Sequence, residues 1–207
     1  MNGTGVDLNL FKFDYWGTWA CFFTNQHGHI YGRYGLRKNK EPQDETYMTL
    51  AGLRNVMKQA LDAHKKEADR KPEPALGQPL LPESFAAAPA DMKSGKTCMH
   101  CHHVWIYGER ERPRPFSWTS PEIPTPERVG LTLDLTTGNL VTAVQPDSAA
   151  ARAGIQPKDR IAAMNGVAIH SAADLAWVIN LLPKGQSVRV ELVRGTSKIE
   201  ATLAPGK

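Results

Sequence analysis

No stretch of the 207-residue sequence approaches the roughly 18 consecutive apolar residues that a membrane-crossing helix needs. Met1 to Asn9 has neither a basic start nor an apolar export core, so no anchor and no leader are expected in this chain. A charge imbalance is lacking too. The net charge is +4, and Lys and Arg are interspersed with Asp and Glu along most of the length, which argues against a nucleic-acid partner and for a solvated surface. Cysteine is sparse, with three residues, and methionine is absent between Met99 and Met164. The 41% of hydrophobic residues is enough for packed cores, and the pattern divides better into two small domains than one large one.

What cysteine there is concentrates in one place. Residues 96–105 hold two of the three cysteines and three of the seven histidines. Cys98 and Cys101, two residues apart, with His102 directly after, fit three chemistries. In the first, both sulfurs attach haem c covalently and His102 is an axial ligand to its iron. In the second, the cysteines are a redox dithiol, with His100 stabilising a thiolate between them. In the third they hold zinc, with two further ligands needed. The haem reading implies an extracytoplasmic or periplasmic location, which conflicts with the absent leader, so the sequence leaves localisation open.

Before this segment, residues 19–23 (Trp-Ala-Cys-Phe-Phe) are an unbroken apolar run, as in a central strand buried on both faces. Residues 24–28 turn the chain, with Gly28 suited to positive φ, and 30–35 alternate, giving an antiparallel hairpin. From the N-cap candidate Thr49, the positions Leu50, Leu53, Val56, Met57, Ala60 and Leu61 form one helical stripe, and Lys65 and Lys66 suit the helix end. Strand, Gly-containing turn, strand and helix in this order resemble the C-terminal half of the thioredoxin fold. The thioredoxin cis-proline is replaced by Gly17-Thr18, and the strand and helix that carry the thioredoxin dithiol are missing upstream. Cys21, inside the apolar run, reads as an inert buried thiol.

Residues 67–93, rich in Pro and Ala, read as an extended linker. The Cys-x-x-Cys-His insert covers 94–126 and closes on a second proline-rich stretch, in which Arg110, Arg112 and Arg114 are either a soluble loop or a match for haem propionates or a partner's carboxylates. So short an insert cannot enclose a haem as a cytochrome c domain does. A second axial ligand would come from Met92, from the first segment or from the last domain.

Residues 127–207 carry regular strand signals at 129–135, 140–144, 160–164, 188–193 and 199–203. Helices are expected at 148–153 and at 171–182, the latter with Ser171 as N-cap and Leu175, Val178, Ile179 and Leu182 on its apolar stripe. The runs Arg128-Val-Gly-Leu, Val144 with Pro146-Asp-Ser-Ala-Ala-Ala-Arg-Ala-Gly154, Lys158-Asp-Arg-Ile, Asn165-Gly166 and Asp174-Leu175 resemble the circularly permuted PDZ domain of HtrA proteases. That resemblance implies an extended peptide or protein C-terminus bound between a strand and the second helix. Gly130 and Leu131 would then offer amides to the terminal carboxylate, and Leu133, Val178 and Leu182 would line the apolar pocket. Leu133 and Val178 fit a plain core role equally well. No Gly-Asn-Ser-Gly stretch or nucleophile elbow accompanies this part, so no serine protease and no complete catalytic site is expected, although a thiol-disulfide oxidoreductase stays open.

The order of the parts is similar to a bacterial family of thioredoxin-like/PDZ proteins, some of them selenoproteins. The expectation is an α+β chain: an incomplete thioredoxin-like hairpin and helix at 1–66, the linker, the Cys-x-x-Cys-His segment, and a permuted PDZ β domain with two helices. Its expected role is peptide or protein binding by the PDZ part, attached to a redox-associated thioredoxin-like part. The alternative is haem c electron transfer or thiol-disulfide exchange through Cys98, Cys101 and His102.

Overall fold

A computed structural model of the chain describes residues 3–8, 11, 20–35, 47–72, 78–100, 103, 104, 106–108, 125–181 and 186–204. The first element is the expected hairpin, β1 (Cys21–Thr24) paired antiparallel with β2 (Ile30–Tyr34). Its turn is held by Asn25, whose carboxamide oxygen accepts from the amides of His27 and His29 at 3.0 and 2.9 Å. The Nδ2 of the same residue donates to the carbonyls of Ala68 and Arg70, tying the turn to the far end of the following helix. The expected central strand, buried on both faces, is not what forms. β1 belongs to a two-stranded sheet and is half-buried, because no third strand covers its outer edge among the described residues.

Helix α1 (Leu50–Glu67) starts where the sequence places it: Thr49 Oγ1 accepts from Gly52 N at 2.9 Å, and His64, Lys65 and Lys66 stand at the electronegative end. Only one flank of the predicted stripe is used. Gly52, Val56 and Ala60 are buried, whereas Leu50 is 75% exposed and Met57 and Leu61 about half exposed. A hairpin of two short strands is too narrow to cover a stripe that spans well over 100° of the helix.

The proline-rich stretch after α1 is not the extended connector its composition suggests. A 3-10 turn (Pro82–Ser84) and the short helix α2 (Ala90–Lys93) fold back on the start of the chain, where Leu8, Phe85, Ala88, Met99 and Val104 make a small separate core. Main-chain bonds from Gly3 to Met99 and from Leu8 to Leu80 close it. Phe85 and Met99 supply enough apolar area to order a segment that proline and alanine alone would leave extended.

The C-terminal unit contains the larger core. A 3-10 turn (Pro126–Val129) leads into β3 (Leu131–Leu133), which pairs with β4 (Val141–Val144). A four-stranded sheet follows in the order β6–β5–β7–β8, built from β5 (Arg160–Met164), β6 (Val167–Ala168), β7 (Val188–Arg194) and β8 (Ser197–Leu203). Helices α3 (Ala149–Arg152) and α4 (Ala172–Leu181) complete it, capped by the hydroxyls of Ser148 and Ser171, the second as the sequence indicates. The unit has one strand more than the five expected, since the two-residue β6 after Asn165-Gly166 is too short to leave a periodic signal. Val129, Leu131, Ile161, Met164, Leu175, Leu192 and Leu203 fill the core. Buried Asp159 is held by Arg194 through two bonds of 2.7 and 2.8 Å.

Candidate peptide-binding groove

The turn before β3 is built around Gly130. Its φ is +83°, a region that L side chains avoid, and a Cβ there would fall 2.1 Å from Ser148 Cβ. Glycine therefore lets the turn close on the N-cap of α3. Gly130 N donates to the Glu127 carbonyl at 2.9 Å, and its own carbonyl accepts from Gln145 N at 2.8 Å.

That second bond fixes which way β3 faces. The C=O and N–H of one trans peptide unit point in opposite directions. Since the Gly130 carbonyl points at β4, the Leu131 amide points away from it. Likewise Asp134 N donates to the Leu140 carbonyl, so the Leu133 carbonyl points away. Alternation along an antiparallel pair does the same for the Leu131 carbonyl and Leu133 amide. Four main-chain groups of Leu131 and Leu133 are thus directed to the edge of β3 that no strand pairs among the described residues.

The side chains of Leu131, Leu133 and Val178 are buried together in the core of the unit, with α4 packed against the 3-10 turn before β3. Leu182 lies outside the described residues. Leu131, Leu133 and Val178 thus share one apolar core, and Gly130 sits in the turn that leads into β3. Beyond β3 the loop to β4 meets the segment just ahead of α4: Asn139 Nδ2 donates to the Ile169 carbonyl at 2.8 Å.

The N-terminal hairpin and helix are docked on this region. The Arg33 main-chain N–H donates to Asp174 Oδ1 at 2.9 Å, and Ser171 Oγ donates to the Arg33 carbonyl at 2.5 Å. The Arg33 guanidinium lies 3.5 Å from Asp174 Oδ1 and 3.8 Å from the centre of the Trp177 ring. Burial pushes the fully buried Asp174 carboxyl up to about 6 against the attraction of Arg33, and burial also lowers the Arg33 guanidinium. Both shifts say that desolvation outweighs the pairing. Arg33 Nε, Trp177 Nε1 and His170 Nδ1 are buried at this junction without hydrogen-bond partners. At the other end, Tyr47 is 7% exposed within the C-terminal unit's core and bonds through its hydroxyl to the Glu127 carboxylate. Burial, then Glu127, raises the Tyr47 phenol well above its usual range. Sequence reasoning singled out neither Arg33 nor Tyr47. The Ser171-x-x-Asp174 spacing marks a helix start, but no local pattern says what reaches it from 140 residues away.

The cysteine segment lies apart from this groove. Cys98 is exposed, and its neighbour Met99 is fully buried in the small core. Cys101 and His102 lie outside the described residues, and among the described residues no cluster suited to a metal ion is found. Met92 packs against the small core, and Met164 is sealed in the core of the C-terminal unit, where it cannot reach an external iron. Cys21 is half-buried, and burial raises its thiol.

The PDZ domain family matches residues 127–204. Among curated proteins, the magnetosome formation protease MamE of Magnetospirillum gryphiswaldense is 32% identical over 85 residues, 40% of this chain. The match spans only 11% of MamE. Among solved structures, a serine endoprotease from Yersinia pestis is similar at 28% identity and a TM-score of 0.34, over 37% of this chain and 27% of that one. The PDZ domain of HtrA3 bound to a phage-derived ligand, FGRWV, is similar at 27% identity and a TM-score of 0.31, over 34% of this chain and 65% of that one. Residues 127–204 therefore form a PDZ domain.

Proposed function

We propose that this protein binds the C-terminus of a peptide or partner protein as an added strand on the open edge of β3. The ligand's terminal carboxylate meets the loop at Gly130 and Leu131, and its last apolar side chain enters among Leu131, Leu133, Val178 and Leu182. What supports the reading is the orientation of β3: four main-chain groups of Leu131 and Leu133 face an edge with no paired strand among the described residues, as strand addition requires. The Leu131 amide is the first donor a carboxylate would meet, because Gly130 N already serves the Glu127 carbonyl and would have to exchange it.

A fluorescein-labelled FGRWV peptide, titrated into the full chain and followed by anisotropy, tests this. The expected affinity is micromolar, about 8 kcal/mol, since a short peptide buries little surface and loses freedom on docking. Amidating its C-terminus should weaken binding at least tenfold. Equal binding by the amide would remove the carboxylate's role.

The exposure of Cys98 favours a second, redox-associated role for the Cys98, Cys101 and His102 segment, beside a thioredoxin-like hairpin and helix. An exposed thiol is open to a haem vinyl group, a zinc ion or a second cysteine.

A further inference from the structure

The groove is bordered on three sides by the chain's own N-terminal unit. At the carboxylate end, Tyr47 is anchored on Glu127, in the 3-10 turn just ahead of Gly130. At the far end, Thr49 Oγ1 donates to the Leu135 carbonyl at 3.4 Å and Asn55 Nδ2 to the Thr137 carbonyl at 3.0 Å. Gly52 permits this approach, since a Cβ there would lie 2.4 Å from the Leu135 oxygen. Along the helix wall, Arg33 is held by Ser171 and Asp174 and covers Trp177.

Residues 47–49 therefore reach from one end of β3 to the other. They do not lie over its outer face, because Thr132 is exposed there. They lie on its inner or edge side, where Tyr47 is buried in the same core as Leu131, Leu133 and Val178.

We propose that the N-terminal hairpin and helix are a cap that closes the peptide groove in cis, with Tyr47 at the carboxylate end and Arg33 as the latch on α4. The inference rests on the peptide-binding reading above. A ligand running along β3 with its C-terminus at Gly130 must send its upstream residues past Leu135 and Ser171, where Thr49, Gly52 and Arg33 now sit. The junction is built to part. Three buried polar atoms at the latch have no partner, and desolvation outweighs the pairing of Arg33 with Asp174.

The test compares full-length wild type with Tyr47→Phe and Tyr47→Ala, using the same labelled FGRWV peptide. Tyr47→Phe keeps the ring and removes the hydroxyl bond to Glu127, so it opens the cap without leaving a cavity. While the cap is mostly closed, the apparent Kd falls in proportion to the open fraction gained, and a charge-assisted hydrogen bond sets that gain at about tenfold. The expected result is about tenfold tighter binding by Tyr47→Phe and more by Tyr47→Ala. An unchanged Kd in Tyr47→Phe overturns the cap and leaves the groove standing. Weaker binding overturns it as well, placing Tyr47 in the ligand site. If neither wild type nor Tyr47→Phe binds, the peptide-binding reading falls, and the cap with it.

Discussion

Replacing Asp174 by asparagine removes the one carboxylate that the fold buries completely at the junction between hairpin and PDZ domain. An ordinary aspartate has a pKa of 3.8, and burial raises this one to about 6. At about 1.4 kcal/mol for each tenfold change in proton affinity, keeping Asp174 ionised in the fold costs about 3 kcal/mol relative to the unfolded chain. The folded state binds the proton more tightly, so this group's stabilising contribution is fully present below 3.8 and is lost as pH rises through about 6. Asparagine cannot titrate. Arg33 stays charged throughout this range, so the variant's loss of that ion pair adds an offset that does not vary with pH. Asp134 is held low by the Thr137 amide and Asp159 by Arg194, but both are common to the two proteins and cancel. Urea unfolding of wild type and Asp174→Asn at about pH 4, 5, 6 and 7 should show the stability gap shifting by about 2 kcal/mol in the variant's favour over that span, because the unfolded chain's Asp174 is already about half ionised at the lowest of these. A gap that stays flat would refute the buried, strongly shifted carboxylate.

Gly130→Ala should destabilise the chain by about 2–4 kcal/mol, the sum of a left-handed backbone penalty and overpacking against Ser148, as read from urea unfolding. A loss under about 1 kcal/mol would mean that the loop can retreat from α3. At neutral pH an aromatic disulfide reagent should modify the exposed Cys98 at least tenfold faster than Cys21, whose thiol is half-buried and raised by burial. Expression beside a cytochrome c maturation system separates the readings of that segment: a covalently coloured protein whose Cys98 no longer reacts means haem, and a colourless one means thiol or zinc chemistry.

Local physics was legible in the chain. Thr49 and Ser171 cap helices because a short hydroxyl just ahead of the first turn reaches the amides two or three positions on, and that depends on nothing distant. A compact β domain was legible in the turn residues and alternating apolar runs of its strands, and its likeness to a PDZ domain in the runs between Arg128 and Leu175. Leu131, Leu133 and Val178 could be placed near one another on that basis, but not as pocket rather than core, since both demand the same apolar side chains.

Tertiary structure decided the rest. The proline-rich stretch reads as a spacer until Phe85 and Met99 find Leu8, a contact between segments about 80 to 90 residues apart that no window of sequence contains. Arg33 looks like a solvated hairpin residue, and Tyr47 follows a polar run with no periodicity of its own. Their roles exist only because the hairpin folds onto α4, putting Arg33 against Asp174 and Tyr47 against Glu127. Single-residue contacts across such separations leave no repeat in the chain. They arise from how one folded surface fits another.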